Sequence, residues 1–160
     1  MFPTRILVAV DAFGQTSSAL RAAVELASGT GSELHVVHVV PKVPELPFLH
    51  LAARERVENF FEWRRLKGLE ILDDRVRRIG EDLGGSVAAS YYREGKPKKE
   101  LVLLAKEIDA GLIMIGGQRQ ARFERIFGSN LAEKVLRWAD RPVLIVDDQG
   151  SRDAIVPLSP

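Results

Sequence analysis

The chain has 160 residues, a formal net charge of +1, 46% hydrophobic and 28% charged residues, and no cysteine. That length suits one domain of ordinary size with a core large enough to fold without staples. The small net charge excludes a global pull toward nucleic acid or an anionic membrane, and the lack of cysteine excludes a disulfide framework, a thiolate metal site and a cysteine nucleophile.

The opening, MFPTRILVAVDAF, is interrupted too soon by Asp11 to be a signal peptide. No run of about 18 apolar residues follows anywhere, so a cytoplasmic protein with no membrane span is expected. ILVAV (6–10) predicts a first strand. Leu20, Ala23, Val24 and Ala27 then share one helix face, and GTGS (29–32) stops that helix. LHVVHVV (34–40) predicts the second strand. PKVPELP (41–47) holds three prolines and predicts an exposed excursion. A long helix over about 52–83 follows, striped by Leu69, Leu72, Val76, Ile79 and Leu83 and ended by Gly84 and Gly85.

SVAASYY (86–92) predicts the third strand, and Pro97 opens a helix facing inward through Leu101, Leu104, Ala105 and Ile108. GLIMIG (111–116) predicts the fourth strand. Ser129 is placed to cap a helix carrying Leu131, Ala132, Val135 and Ala139, and PVLIVDD (142–148) predicts the fifth strand. Strands apolar on both faces, alternating with amphipathic helices, require an α/β fold: a Rossmann-like, doubly wound, five-stranded parallel sheet with helices on both faces. Residues 1–148 are expected to form one domain and 149–160 a loose tail.

Such sheets bind ligands outside the carboxyl ends of their strands. Asp11 ends the first strand, where a carboxylate accepts hydrogen bonds from a ribose or caps the next helix. After the fourth strand comes GGQRQARFERIFGSN (116–130). Gly116 and Gly117 permit close backbone approach, while the N–H groups of Gly128, Ser129 and Asn130 at a helix start suit an anion. Arg119, Arg122 and Arg125 either add charge to a bound phosphate or solvate a surface loop. Neither a Walker loop nor a G-x-G-x-x-G follows a strand. His35 and His38, three apart on a strand, point to opposite faces and cannot share a metal. No general base stands out, so an enzyme of high turnover is not expected. Phe60, Phe61 and Trp63 are expected to pack in a core or an interface rather than stack on bases.

ILVAVDAFGQTSSALRAAVELA, the HVV of the second strand, REGKPKKELVLLAKEIDAGLIMIGG and GSNLAEKVLRWADRPVLIVDD together resemble the universal stress protein family over residues 4 to 148. The resemblance implies the Rossmann-like sheet and a homodimer in which the last strand, Val143 to Asp147, pairs with its twin. It also implies a stress-response role with an adenine nucleotide, ATP or AMP, as ligand. Carried over residue by residue, Asp11 takes the ribose, the backbone of Val39 the adenine, and Gly116, Gly128, Ser129 and Asn130 the phosphates. The family's motif departs here in one place: its second glycine falls on Arg119, and Gly116 and Gly128 are one residue closer than in the motif. A one-residue deletion either places Gln120 there or lets Gly117 take the sharp turn, and Arg119 either replaces main-chain contact by charge or fills the site. The alternative function is therefore a dimeric scaffold of the same fold without nucleotide. Phosphates commonly bring Mg²⁺, for which Asp11 is the evident carboxylate. Nothing in the sequence points to nucleic acid or a membrane as partner.

Overall fold

The computed structural model describes residues 2–10, 18–42, 51–116 and 131–146. Among these, β1 (Arg5–Val10), α1 (Ser18–Thr30), β2 (Glu33–Val40), α2 (Leu51–Glu81), β3 (Ala89–Glu94), α3 (Pro97–Glu107), β4 (Leu112–Gly116), α4 (Leu131–Trp138) and β5 (Val143–Val146) follow one another. The five strands form one parallel sheet in the order β3-β2-β1-β4-β5. The expected tail, 149–160, lies outside the described residues.

Side-chain alternation divides the core between the two faces of the sheet. Ile6, Val8 and Val10 of β1 meet Leu20, Ala23 and Val24 of α1 and Leu72 and Ile79 of α2 on one face. Leu7, Val37, Val39, Ile113 and Ile115 meet Leu101, Leu104 and Ala105 of α3 and Val135 of α4 on the other. Both faces of the central strands are buried, which is why their sequences read as unbroken apolar runs. The first helix stops where Gly31 takes a φ of 68° and Ser32 N–H donates back to Ala27 O at 3.0 Å. Only glycine adopts that backbone without Cβ strain.

Two sequence expectations need correction. The third strand runs over 89–94 rather than 86–92, because its ladder with β2 begins at His35↔Ala89 and continues to Val40↔Glu94. As an edge strand it needs no apolar residue at its end, so Arg93 and Glu94 hid it from a reading by hydropathy. In α2, Leu69 is exposed. The stripe that faces the sheet is Gly68, Leu72, Arg75 and Ile79. A Cβ on Gly68 would stand 2.8 Å from Tyr92 Cε2 and 3.2 Å from Val40 Cγ2. The helix axis passes so close to β2 and β3 there that only a hydrogen fits. Tyr91 and Tyr92 face opposite sides, each packed against a different core cluster.

Candidate functional site

In this strand order the chain leaves β1 for β2 and β3, then crosses back to β4 and β5. The helix after β1 packs on one face and the helix after β4 on the other. Strands followed by helices on opposite faces mark the switch point, where doubly wound sheets hold ligands.

Main-chain directions at this point follow from the ladder. Glu33 N–H donates to Thr4 O at 2.9 Å, so odd residues of β2 turn their polar groups toward β1. Even ones turn toward β3, as Gly95 N–H to Val40 O at 2.9 Å shows. Val39 therefore directs its carbonyl toward the end of β1, past Val10, the last described residue of that strand. From the other side, Ile113 N–H donates to Pro142 O at 2.9 Å, which assigns odd residues of β4 to β5 and even ones to β1. Gly116 thus directs its N–H and carbonyl toward the last residues of β1. Two of the sequence-predicted site residues, Val39 and Gly116, turn toward them from opposite flanks.

The Val39 side chain is buried in the core, so only its backbone is available to a ligand. At Gly116 an added Cβ would meet Ala19 Cβ at 3.9 Å, an ordinary contact. Among the described residues, packing does not demand glycine there. Asp11, Gly117, Arg119, Gly128, Ser129 and Asn130 lie outside the described residues, as do Arg122, Arg125 and His50.

A residue without an assigned role in the sequence proves to hold this corner together. His38, buried on the α2 side, donates from Nδ1 to Val10 O at 2.9 Å, and the acceptor's being a carbonyl fixes the proton on Nδ1. Its sequence signal was slight: a polar ring inside an apolar strand, which has to find a partner. His35 faces the other way, 3.0 Å from the Tyr91 hydroxyl. Among the described residues no group of three or more His, Asp or Glu could hold a metal ion.

Burial lowers the His38 pKa from its ordinary 6.5, with the Val10 hydrogen bond acting against that shift and the positive charges of Arg75 and Arg64 adding to it. The unfolded chain therefore binds the extra proton first. Stability should be complete above pH 6.5 and fall as the pH drops below it, by at most about 1.4 kcal/mol per pH unit. Glu33 and Glu62 are lowered from an ordinary 4.5, and Asp74 and Asp140 from 3.8, so their contributions are lost only at lower pH. His38→Asn keeps a donor at similar reach and cannot titrate. Urea midpoints between about pH 5 and 7 should slope for the wild type and lie nearly flat for this variant. Parallel slopes would show that His38 is not the titrating group.

Beside the switch point, on the far side of β2, a cleft of ≈ 230 Å³ lies between α2 and the ends of β2 and β3, with Phe61, Glu58 and Tyr92 in its wall. Burial, with the charge of Glu94 beside it, pushes the Tyr92 hydroxyl up to about 12, and it stays a neutral donor to Glu94 at 3.2 Å. No helix among the described residues is long and apolar enough to cross a membrane.

A doubly wound parallel sheet whose main-chain groups meet at its switch point defines the class. The profile of the universal stress protein family matches residues 3–147, and the chain belongs to that family. It is 32% identical over 143 residues to universal stress protein G of Escherichia coli O157:H7, covering 88% of this chain and 96% of the relative. A universal stress protein family member from Burkholderia pseudomallei has a similar structure, with a TM-score of 0.61 and 31% identity over 90% of this chain and 96% of its own. The universal stress protein from Archaeoglobus fulgidus in complex with dAMP is similar at a TM-score of 0.57, with 25% identity over 91% of this chain and 98% of its own.

Proposed function

We propose that this protein binds an adenine nucleotide, ATP or AMP, at the carboxyl ends of β1, β2 and β4, as a cytoplasmic stress-response protein rather than an enzyme of high turnover. The observation that carries this reading is the hydrogen-bond alternation that turns the main-chain groups of Val39 and Gly116 toward β1 from its two sides. The dAMP complex of the A. fulgidus relative supports the choice of ligand. In this reading Val39 meets the adenine edge and Asp11 the ribose hydroxyls. Gly116, Gly117, Gly128, Ser129 and Asn130 surround the phosphates with main-chain donors, and Arg119 adds charge. Mg²⁺, where the nucleotide carries it, would find its carboxylate in Asp11.

The same reading includes a single domain over 1–148 and a homodimer through the last strand, Val143 to Asp147. β5 is a sheet edge, and its Leu144 and Ile145 are exposed. An apolar edge strand is normally covered.

Ligand-free protein heated with millimolar ATP or AMP tests the nucleotide. At a hundred times its dissociation constant a ligand stabilises the fold by about 2.7 kcal/mol, which for this size raises Tm by about 5–10 °C. Gly128→Val should abolish that shift while leaving the unliganded Tm in place, because a branched side chain blocks approach of the backbone to phosphate. A second reading, a scaffold without nucleotide, draws on Arg119 standing where the motif has glycine. No Tm shift with either nucleotide would select it, and an undiminished shift in a folded Gly128→Val protein would refute the placement of the phosphates.

A further inference from the structure

His38 stands beside Val39 in β2, and its ring reaches the last described carbonyl of β1. Glu33 N–H donates to Thr4 O, so even residues of β1 turn their polar groups toward β2 and the Val10 carbonyl points there. The same alternation directs the Val39 N–H to that oxygen. From the α2 face, His38 Nδ1–H donates to it at 2.9 Å. Two consecutive residues of β2, one by its side chain and one by its main chain, are thus aimed at a single oxygen of β1.

This bond lies where the ladder gives out. Among the described residues Val10↔His38 is the last pair between β1 and β2, while β2 continues through Val39 and Val40 beside β3. Counted on from Val8↔Met114, Gly116 of β4 is level with Val10. Packing alone does not call for a histidine here, since Leu34 and Val36 fill the same face of β2 with apolar side chains. The ring is also confined: His38 is buried, and a Cβ on Gly68 of α2 would stand 3.4 Å from its Cδ2. A ring so enclosed keeps its Nδ1 on the Val10 oxygen.

We propose that His38 is a positioning residue for the nucleotide, an inference that rests on the adenine-nucleotide reading above. By tying the Val10 carbonyl to β2, it fixes the separation between the Val39 main chain, which meets the adenine edge, and Asp11, which follows Val10 and meets the ribose. Contacts already held at the right separation bind a ligand more tightly than contacts that have to be ordered first. His38 acts through the strand end, from beneath α2.

Calorimetric titration of the ligand-free full chain with ATP and with 2′,3′-dideoxy-ATP, which lacks the ribose hydroxyls, tests this. The wild type should bind ATP more tightly than the dideoxy analogue. His38→Leu keeps bulk and removes the donor; it should weaken ATP by about three- to tenfold, the worth of one hydrogen bond, and bring the two ligands closer in affinity. His38→Asn carries a donor at similar reach and should restore both the affinity and the preference. Ile113→Ala, which loosens the core elsewhere, should keep the preference of the wild type and so separates positioning from stability. By linkage, bound nucleotide must in turn hold the bond closed. Exchange of the wild-type His38 Nδ1 proton, followed by NMR, should slow several-fold with ATP, a measurement that needs no variant to fold.

Equal wild-type affinities for the two ligands, an ATP affinity within about twofold of wild type in folded His38→Leu, or a loss that Asn does not restore would each overturn the positioning role. So would proton exchange unchanged by ATP. All four outcomes leave nucleotide binding itself intact. A wild-type protein that binds neither ligand would overturn the nucleotide reading, and this inference with it.

Discussion

Ile113→Ala is expected to lower the unfolding free energy by about 2–5 kcal/mol, the cost of removing most of a branched side chain from a sealed core. Ile113 has no exposed surface and occupies the middle of β4, between β1 and β5. Its side chain belongs to the cluster formed with Leu104 and Ala105 of α3 and Val135 of α4. Both neighbouring strands are fixed by main-chain hydrogen bonds, so the backbone has little freedom to close the gap. Denaturation in urea, with the slope of the transition unchanged, should give the loss directly, and Tm should fall by about 5–15 °C. A cost under about 1 kcal/mol would mean that β4 is not closely packed against α3 and α4. Because Ile113 lies three residues before Gly116 on the same strand, the variant should keep whatever ligand affinity its folded fraction has.

The second large effect is expected at Gly68. In an ordinary helix, replacing an interior glycine gains up to about 1 kcal/mol, because glycine has most backbone freedom to lose. Here that gain meets a wall. A Cβ at Gly68 would stand 2.8 Å from Tyr92 Cε2, 3.2 Å from Val40 Cγ2 and 3.4 Å from His38 Cδ2. Tyr92 is half-buried and bonded to Glu94 through its hydroxyl, so its ring cannot simply swing aside. Gly68→Leu should therefore cost about 1–3 kcal/mol through overpacking, or more where α2 has to lift off the sheet. A lifted helix would also expose His38. Its imidazole should then titrate nearer the ordinary value, and the loss of stability below pH 6.5 should become shallower. Proton NMR titration of the ring and urea midpoints at two pH values measure both consequences. A stabilised Gly68→Leu protein with an unmoved His38 would show that α2 does not approach β2 as closely as described.

The main features of the fold are written in local patterns. Unbroken apolar runs at ILVAV and GLIMIG, alternating with helical stripes such as Leu20, Ala23, Val24 and Ala27, are sufficient for a two-sided parallel sheet, and the order of elements follows. The edge strand was displaced by three residues at its start because one-sided burial leaves a weak hydropathy signal, and its place was settled by pairing with His35 to Val40. Val39 and Gly116 could be named from the family resemblance. That both turn main-chain groups toward β1 follows only from the parity of hydrogen bonding across three strands. Arg75, which hydropathy alone does not mark as inward-facing, is one of the buried polar residues and belongs to the stripe that meets the sheet.

From the sequence alone came the alternation of strands and helices, the separation of apolar faces, the family, and the residues suited to holding phosphate by their backbone. These depend on periodicity and residue type, which are properties of a chain read a few positions at a time. The tertiary structure decided the strand order, the pairing of His38 with the Val10 carbonyl, the need for glycine at position 68, and the exposure of Phe60, Trp63 and Leu66 on α2. Each of those depends on which distant surface arrives opposite a residue, and periodicity carries no record of the distance between a helix and the sheet it covers.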